Sequence, residues 1–138
     1  MATVGEFPET VEGIGVKFVT SSSDLAKARL RFPCGCIADL TASRISDKAE
    51  RKMRIFQSGL YLSLDYANGI ARKLKIDSSE IPDPENLNPE EFKLEKGDAL
   101  MDEIQSFLAS IQKKTPTLVS AEDGLNAMKV AWQIKDQL

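Results

Sequence analysis

Leu25-Ala26-Lys27-Ala28-Arg29-Leu30-Arg31-Phe32-Pro33-Cys34-Gly35-Cys36-Ile37-Ala38-Asp39-Leu40-Thr41-Ala42-Ser43 carries the clearest structural code in the chain. Ala26, Ala28, Leu30 and Phe32 alternate with Lys27, Arg29 and Arg31, the in/out pattern of a strand with one wet face. Pro33-Cys34-Gly35 supplies turn chemistry, and Cys36, Ala38, Leu40 and Ala42 then resume the alternation. The stretch predicts an antiparallel hairpin.

Outward from it, the pattern repeats. Val11 to Thr20 places Ile14, Val16 and Phe18 at alternate positions, with Gly13 and Gly15 interrupting. Met53 to Gln57 leads into Ser58-Gly59, and Leu60, Leu62, Leu64 and Tyr66 then oppose Tyr61, Ser63 and Asp65. Asn68-Gly69 is a strong hairpin signal because both residues tolerate positive φ, and Ile70 to Ile76 returns. Residues 11–76 thus predict an antiparallel meander. Asp77 to Asn88 is an acidic, Pro- and Ser-rich break, read as a solvated loop, and Glu91 to Lys96 predicts a short edge strand.

The final forty residues change period. Leu100, Met101, Ile104, Phe107, Leu108 and Ile111 form one apolar helical stripe, followed by Lys113-Lys114 and the stop signal Pro116. Ser120 to Asp123 resembles a capping box for a second helix carrying Leu125, Met128, Ala131, Trp132 and Ile134. Neither stripe suits water. The expected fold is α+β, a predominantly antiparallel open sheet with both helices packed on one face.

Composition limits the chemistry. The 138 residues suit one domain, and about 46% of them are apolar when Gly is counted and Tyr is not, as in ordinary globular chains. Net charge is −3, too mild to argue for nucleic acid or an anionic membrane surface. There is no apolar run long enough to span a bilayer and no basic, apolar leader at Met1 to Thr10. With two cysteines only two positions apart, the expected location is the cytoplasm. The chain has no histidine, which removes the usual neutral-pH base, the imidazole metal ligand and every Ser-His or Cys-His pair.

The remaining motifs have modest readings. Cys34-x-Cys36 lacks a second pair or His partners for metal and the Cys-x-x-Cys helix start of a redox site, so both cysteines read as small buried hydrophobes. Gly13-x-Gly15 lacks the third glycine and following helix of a dinucleotide loop, and reads as a strand irregularity or bulge. Arg44, Lys48, Arg51, Lys52 and Arg54, with Asp47 and Glu50 among them, read as a solvated connection. Arg44 stands apart at a strand end beside Thr41 and Ser43, and is the candidate contact for an anion or sugar. Tyr61, Ser63 and Asp65 share a strand face and could form a polar site, although a wet or partner-covered face is preferred. Met101, Met128 and Trp132 sit at helical core spacing and need no ligand.

Taken in order, several segments resemble a known family. They are Gly15-Val16; Asp24-Leu25-Ala26-x-Ala28-Arg29-Leu30-x-Phe32; Gly35-Cys36-x-Ala38-x-Leu40-Thr41-Ala42-Ser43-Arg44; Arg51-Lys52-x-Arg54-Ile55-Phe56-Gln57; Leu60 to Tyr66; and Ser120 to Leu125. The pattern, from about residue 5 to the end, resembles the C-terminal domain of the Gfo/Idh/MocA (glucose–fructose oxidoreductase/inositol dehydrogenase/MocA) family of NAD(P)-dependent sugar dehydrogenases.

The resemblance implies that residues 1–138 are a single domain shaping a substrate pocket and a subunit interface. The N-terminal Rossmann domain, with its Gly-rich loop, Glu-Lys-Pro segment and catalytic Asp/His helix, is expected to be absent. In the intact enzyme, hydride would pass between NAD or NADP and a sugar or cyclitol carbinol carbon. No catalytic, cofactor-binding or metal residue carries over, and Arg44 is only a family-like position. The chain alone is therefore expected to be inactive and to bind no cofactor, nucleic acid or membrane. It is expected to form a homo-oligomer through the sheet face that includes Ile37, Phe56 and Tyr61. The alternative is a stand-alone, sheet-based dimerisation or ligand-binding module.

Overall fold

A computed structural model describes residues 4–76, 89–94 and 97–138. Strands β1 (Thr10–Val16), β2 (Leu25–Arg31) and β3 (Ile37–Ser43) form one antiparallel sheet in that order. Strands β4 (Lys52–Gln57), β5 (Leu60–Asp65), β6 (Ile70–Lys75) and β7 (Glu90–Lys93) form a second, also antiparallel. Helices α1 (Ala99–Lys113) and α2 (Ala121–Lys135) complete the elements. The fold is α+β, as expected, with the meander divided after β3. The chain separates into two compact units, residues 1–46 with 103–138, and residues 47–102.

In the first unit, the hairpin forms as its alternation predicts. Phe32 and Cys36 close the turn by a backbone hydrogen bond of 2.9 Å, and Gly35 occupies φ +83°, a conformation costly for any residue with a Cβ. Val11, Leu30 and Ala38 form a cross-strand row on one sheet face. Leu30, Phe32 and Val130 are buried together there, with Val11, Ala38 and Ile134 packed around them. Helix α2 therefore lies on this sheet through Val130 and Ile134, while burial of Leu30 and Phe32 stabilises by about 1.5–3 kcal/mol each.

Strand β1 departs from its expected reading. It ends at Val16, and its half-buried positions are Val11, Gly13 and Gly15, so Ile14 and Val16 face solvent. Phe18 lies beyond the strand, in the loop before β2. The glycines do not form a bulge, because pairing with β2 runs unbroken from Thr10–Arg31 to Val16–Leu25. They admit α2 and its tail instead. A Cβ on Gly13 would stand 3.2 Å from both the Gln137 Cβ and the Ile134 carbonyl oxygen, and one on Gly15 would meet the Ser23 hydroxyl first and then the Leu138 Cβ at 3.0 Å. The face chosen by close approach of the helix is the face with the small residues.

In the second unit, the turns follow their signals, with Gly59 at φ +69° and Gly69 at φ +65°. All six residues of β5 are half-buried, which softens the expected contrast between its faces, and Ala71 of β6 is buried. Strand β7 is shorter than the expected Glu91–Lys96 segment and begins one residue earlier; Glu95 and Lys96 lie outside the described residues. So does the Asp77–Asn88 break.

The helix ends are well specified. Ser120 Oγ accepts the Asp123 N–H at 3.1 Å, while Asp123 Oδ2 accepts the Ser120 N–H at 2.9 Å, a reciprocal capping box. Helix α1 ends in a Schellman turn: Thr115 N–H reaches the Ser110 carbonyl at 3.0 Å, Lys114 N–H reaches that of Ile111 at 3.3 Å, and Lys114 takes φ 52°. The expected burial of both stripes fails, however. Leu100, Met101, Ile104, Phe107, Leu108 and Ile111 of α1 are exposed, as are Leu125, Met128 and Trp132 of α2. Periodicity identifies which side of a helix is apolar but not whether another surface reaches it. Cys34 and Cys36, in the turn between β2 and β3, are exposed free thiols, not buried hydrophobes.

Candidate functional site

The strand-end region around Arg44 is organised by Asp24. The loop before β2, Lys17-Phe18-Val19-Thr20-Ser21-Ser22-Ser23, folds back over this carboxylate. Asp24 Oδ2 accepts the backbone N–H groups of Phe18, Val19 and Thr20 at 2.8, 2.7 and 2.9 Å. Its Oδ1 accepts the Thr20 hydroxyl at 2.8 Å. Short polar residues permit such a loop because their side chains replace regular backbone pairing. The same residue donates its N–H to the Val16 carbonyl at 2.8 Å and accepts the Arg44 N–H at 3.0 Å, tying the ends of β1 and β3 together.

Asp24 is 2% exposed, and four donors balance the cost of burying its charge. The three backbone hydrogen bonds, then that of the Thr20 hydroxyl, hold its carboxyl far below the usual carboxylate range. A carboxylate so fully engaged is a poor general base. It serves as a fixed negative charge.

Arg44 stands over that charge. Its Nε lies 3.8 Å from Asp24 Oδ1, an ion pair longer than a hydrogen bond, and its side chain is 59% exposed. The guanidinium is thus held near the sheet by charge while the side chain stays largely exposed. Such a group can bind a phosphate, a carboxylate or a sugar hydroxyl. Next to it, Ser43 Oγ accepts the Ile45 N–H at 3.2 Å. Asp24 was not among the candidate site residues from sequence, although Thr20-Ser21-Ser22-Ser23-Asp24 carried the signal of an Asp-centred turn.

The polar face of β5 offers no shared acid–base pair. Tyr61 and Asp65 point the same way, but four residues at strand rise separate them by about 13 Å. Asp65 accepts both the Asn68 side-chain amide and its backbone N–H, at 3.0 and 3.1 Å, and these bonds lower its carboxyl pKa. Tyr61 lies against Phe56, with ring centroids 4.9 Å apart. In the basic cluster, Lys52 meets Glu50 at 2.8 Å and Asp65 at 4.0 Å, supporting the solvated-connection reading. Elsewhere a shallow, open groove of about 360 Å³ runs between Pro8, Glu9 and Val11 and the end of α2 at Gln133, Asp136 and Gln137. Among the described residues no group of three or more Cys, Asp or Glu side chains could hold a metal ion, and no helix is long and apolar enough to cross a membrane.

The glycine pair of β1 does not fit a dinucleotide, since Ile134, Gln137 and Leu138 occupy the space over it. The helix starts do not fit one either: Asp98 caps α1, and Ser120 with Asp123 caps α2, placing negative charge where a phosphate would bind.

No protein-family model matches the sequence. The chain is homologous to part of UDP-N-acetylglucosamine 3-dehydrogenase from Acidithiobacillus ferrooxidans, with 31% identity over 131 residues, 95% of this chain. It spans 42% of that enzyme's length. Solved structures of the same enzyme, GnnA, in P21 and P212121 crystals superpose with TM-scores of 0.86 and 0.85 at 30% identity. Each superposition covers 97% of this chain and 41% of the solved one.

Proposed function

We propose that this chain is the C-terminal domain of an NAD(P)-dependent oxidoreductase of the Gfo/Idh/MocA type, acting on a sugar or nucleotide sugar. Its role is to shape the substrate pocket and supply a subunit contact, without catalysis of its own. The observation that carries this reading is backbone similarity to a nucleotide-sugar dehydrogenase over nearly the whole chain. Arg44 is the residue assigned to substrate, as an exposed cation set on the buried Asp24 charge. The face expected from sequence does not exist as one surface, because Ile37 lies on β3 of the first sheet whereas Phe56 and Tyr61 lie on β4 and β5 of the second. The subunit contact is assigned instead to the outer face of β1–β3, where Ile14, Val16 and Ile37 are exposed beside the Arg29–Asp39 ion pair of 2.7 Å. In this reading the nicotinamide site and the reacting groups belong to a Rossmann domain of the intact enzyme, as in the family that the sequence resembles.

The test compares the purified chain with the product of its complete reading frame. UDP-N-acetylglucosamine and NAD⁺ or NADP⁺ are supplied and nicotinamide reduction is followed. The expected result is turnover by the complete product and none by the chain alone. Turnover by the chain alone, or a complete frame lacking a Gly-rich nucleotide-binding segment, overturns the proposal.

A further inference from the structure

The turn between β2 and β3 carries two thiols, one on either side of a single glycine. Phe32 N–H donates to the Cys36 carbonyl and Gly35 N–H to the Phe32 carbonyl, each at 2.9 Å, and Gly35 takes φ +83°. This is the three-residue hairpin loop in which a type I turn, here over Pro33 and Cys34, is followed by a left-handed glycine. A left-handed residue folds the chain back as a helical one does, so the Cα atoms on either side of it stand about 5.4 Å apart. That lies within the ~4.4–6.8 Å usual for a disulfide. An extended residue would set them at about 6.6–7.2 Å, near or past the limit. Both cysteines are exposed, and nothing lies within 4 Å of where a Gly35 Cβ would stand. The turn is also at the opposite end of β3 from Arg44, roughly 26 Å away at strand rise.

We propose that Cys34 and Cys36 form a redox site, closing reversibly to a disulfide within the turn. The oxidant is a small-molecule disulfide of the glutathione type. The thiolate of one cysteine attacks a sulfur of that disulfide, forming a mixed disulfide and releasing one glutathione thiol. The thiolate of the other cysteine then attacks the protein sulfur of the mixed disulfide and expels the second glutathione. The protein gives up two electrons and two protons, and one glutathione disulfide becomes two thiols. The backbone hydrogen bonds of the turn already hold the two Cα atoms in range, so closure requires no change in strand pairing. A ring this short gains little from loop closure and stands in water, which makes it a labile disulfide and not a structural one. The site is independent of the dehydrogenase reading.

The test is oxidation of the folded chain, and of the product of its complete reading frame, by excess glutathione disulfide. Free thiols are then alkylated in acid-quenched samples, and tryptic peptides are weighed by mass spectrometry. Arg31 and Arg44 bound a single peptide, Phe32 to Arg44, that holds both cysteines. In both proteins this peptide should lose two hydrogens and regain them on treatment with dithiothreitol. An effective concentration of at least ~1 mM for the second thiol predicts that the ring exceeds the glutathione adduct by at least ~10-fold at ~0.1 mM free glutathione. Cys34→Ser and Cys36→Ser should each retain one glutathione instead. A predominant adduct in the unsubstituted chain, a disulfide-linked dimer, or a peptide that stays reduced in either protein overturns the proposal.

Discussion

The side-chain amide of Gln137 lies along the open edge of β1 at Gly13, accepting the Gly13 N–H at 2.6 Å while donating to the Val11 carbonyl at 2.7 Å. One side chain thus mimics a neighbouring strand for the two peptide groups it meets, 124 residues away from Gly13. An unpaired strand edge is a template for unwanted pairing, and this contact blunts it. The close fit depends on Gly13 having no Cβ.

Gln137→Ala should lower unfolding stability by about 1 kcal/mol, because two solvent-accessible hydrogen bonds are lost and water replaces part of each. Gly13→Val should cost more, since its branches must displace α2 from the sheet. Urea denaturation of the two variants checks the order. Equal or reversed effects would remove the close-approach explanation for Gly13.

Asp24 predicts a pH dependence with a definite sign. Its folded-state pKa lies below that of the unfolded chain, near 4, so the native state holds the proton less tightly. The contribution is fully present above pH ~4 and is lost as pH falls from there toward the folded value. Asp24→Asn should therefore be strongly destabilising at neutral pH, as an amide NH₂ would face backbone donors. The gap from wild type should narrow steadily as acidity rises below pH ~4. A gap independent of pH would show that the loop, not the charge, dominates.

Arg44→Ala is expected to leave folding intact, given the exposure of its side chain, and to weaken substrate binding in the complete enzyme by ~10–100-fold, the range for loss of a charge-assisted hydrogen bond. Arg44→Lys should restore only part of that loss, since a single ammonium cannot reproduce the planar fork. An unchanged KM in both variants would remove Arg44 from the substrate site.

Cys34 and Cys36 should react with a thiol reagent in the folded state at rates near those of the unfolded chain, because both are exposed. Replacing both with Ser should alter stability by no more than about 0.5 kcal/mol, as expected of surface positions. Reaction only after unfolding would contradict their placement on the turn.

Much of the local structure is legible in the sequence alone. Alternation in Leu25–Phe32, the turn residues Gly35, Gly59 and Asn68-Gly69, and the box from Ser120 to Asp123 act through neighbours in sequence, so their signals are local. Arg44 was legible as an exposed strand-end cation. The buried charge beneath it was harder to see, because the donors to Asp24 are backbone groups and leave no composition of their own.

What the sequence determined by itself was therefore the kind of each element and one missing chemistry: strands, helices, caps, and the want of a histidine. Tertiary structure alone decided which face of β1 is covered, that Gly13 meets Gln137, that the cysteines stay in water, and that the α1 stripe remains exposed. The physical reason is range. Propensity and capping depend on residues a few positions apart, whereas burial depends on which distant surface arrives, and at β1 the smallest side chains admitted the closest one.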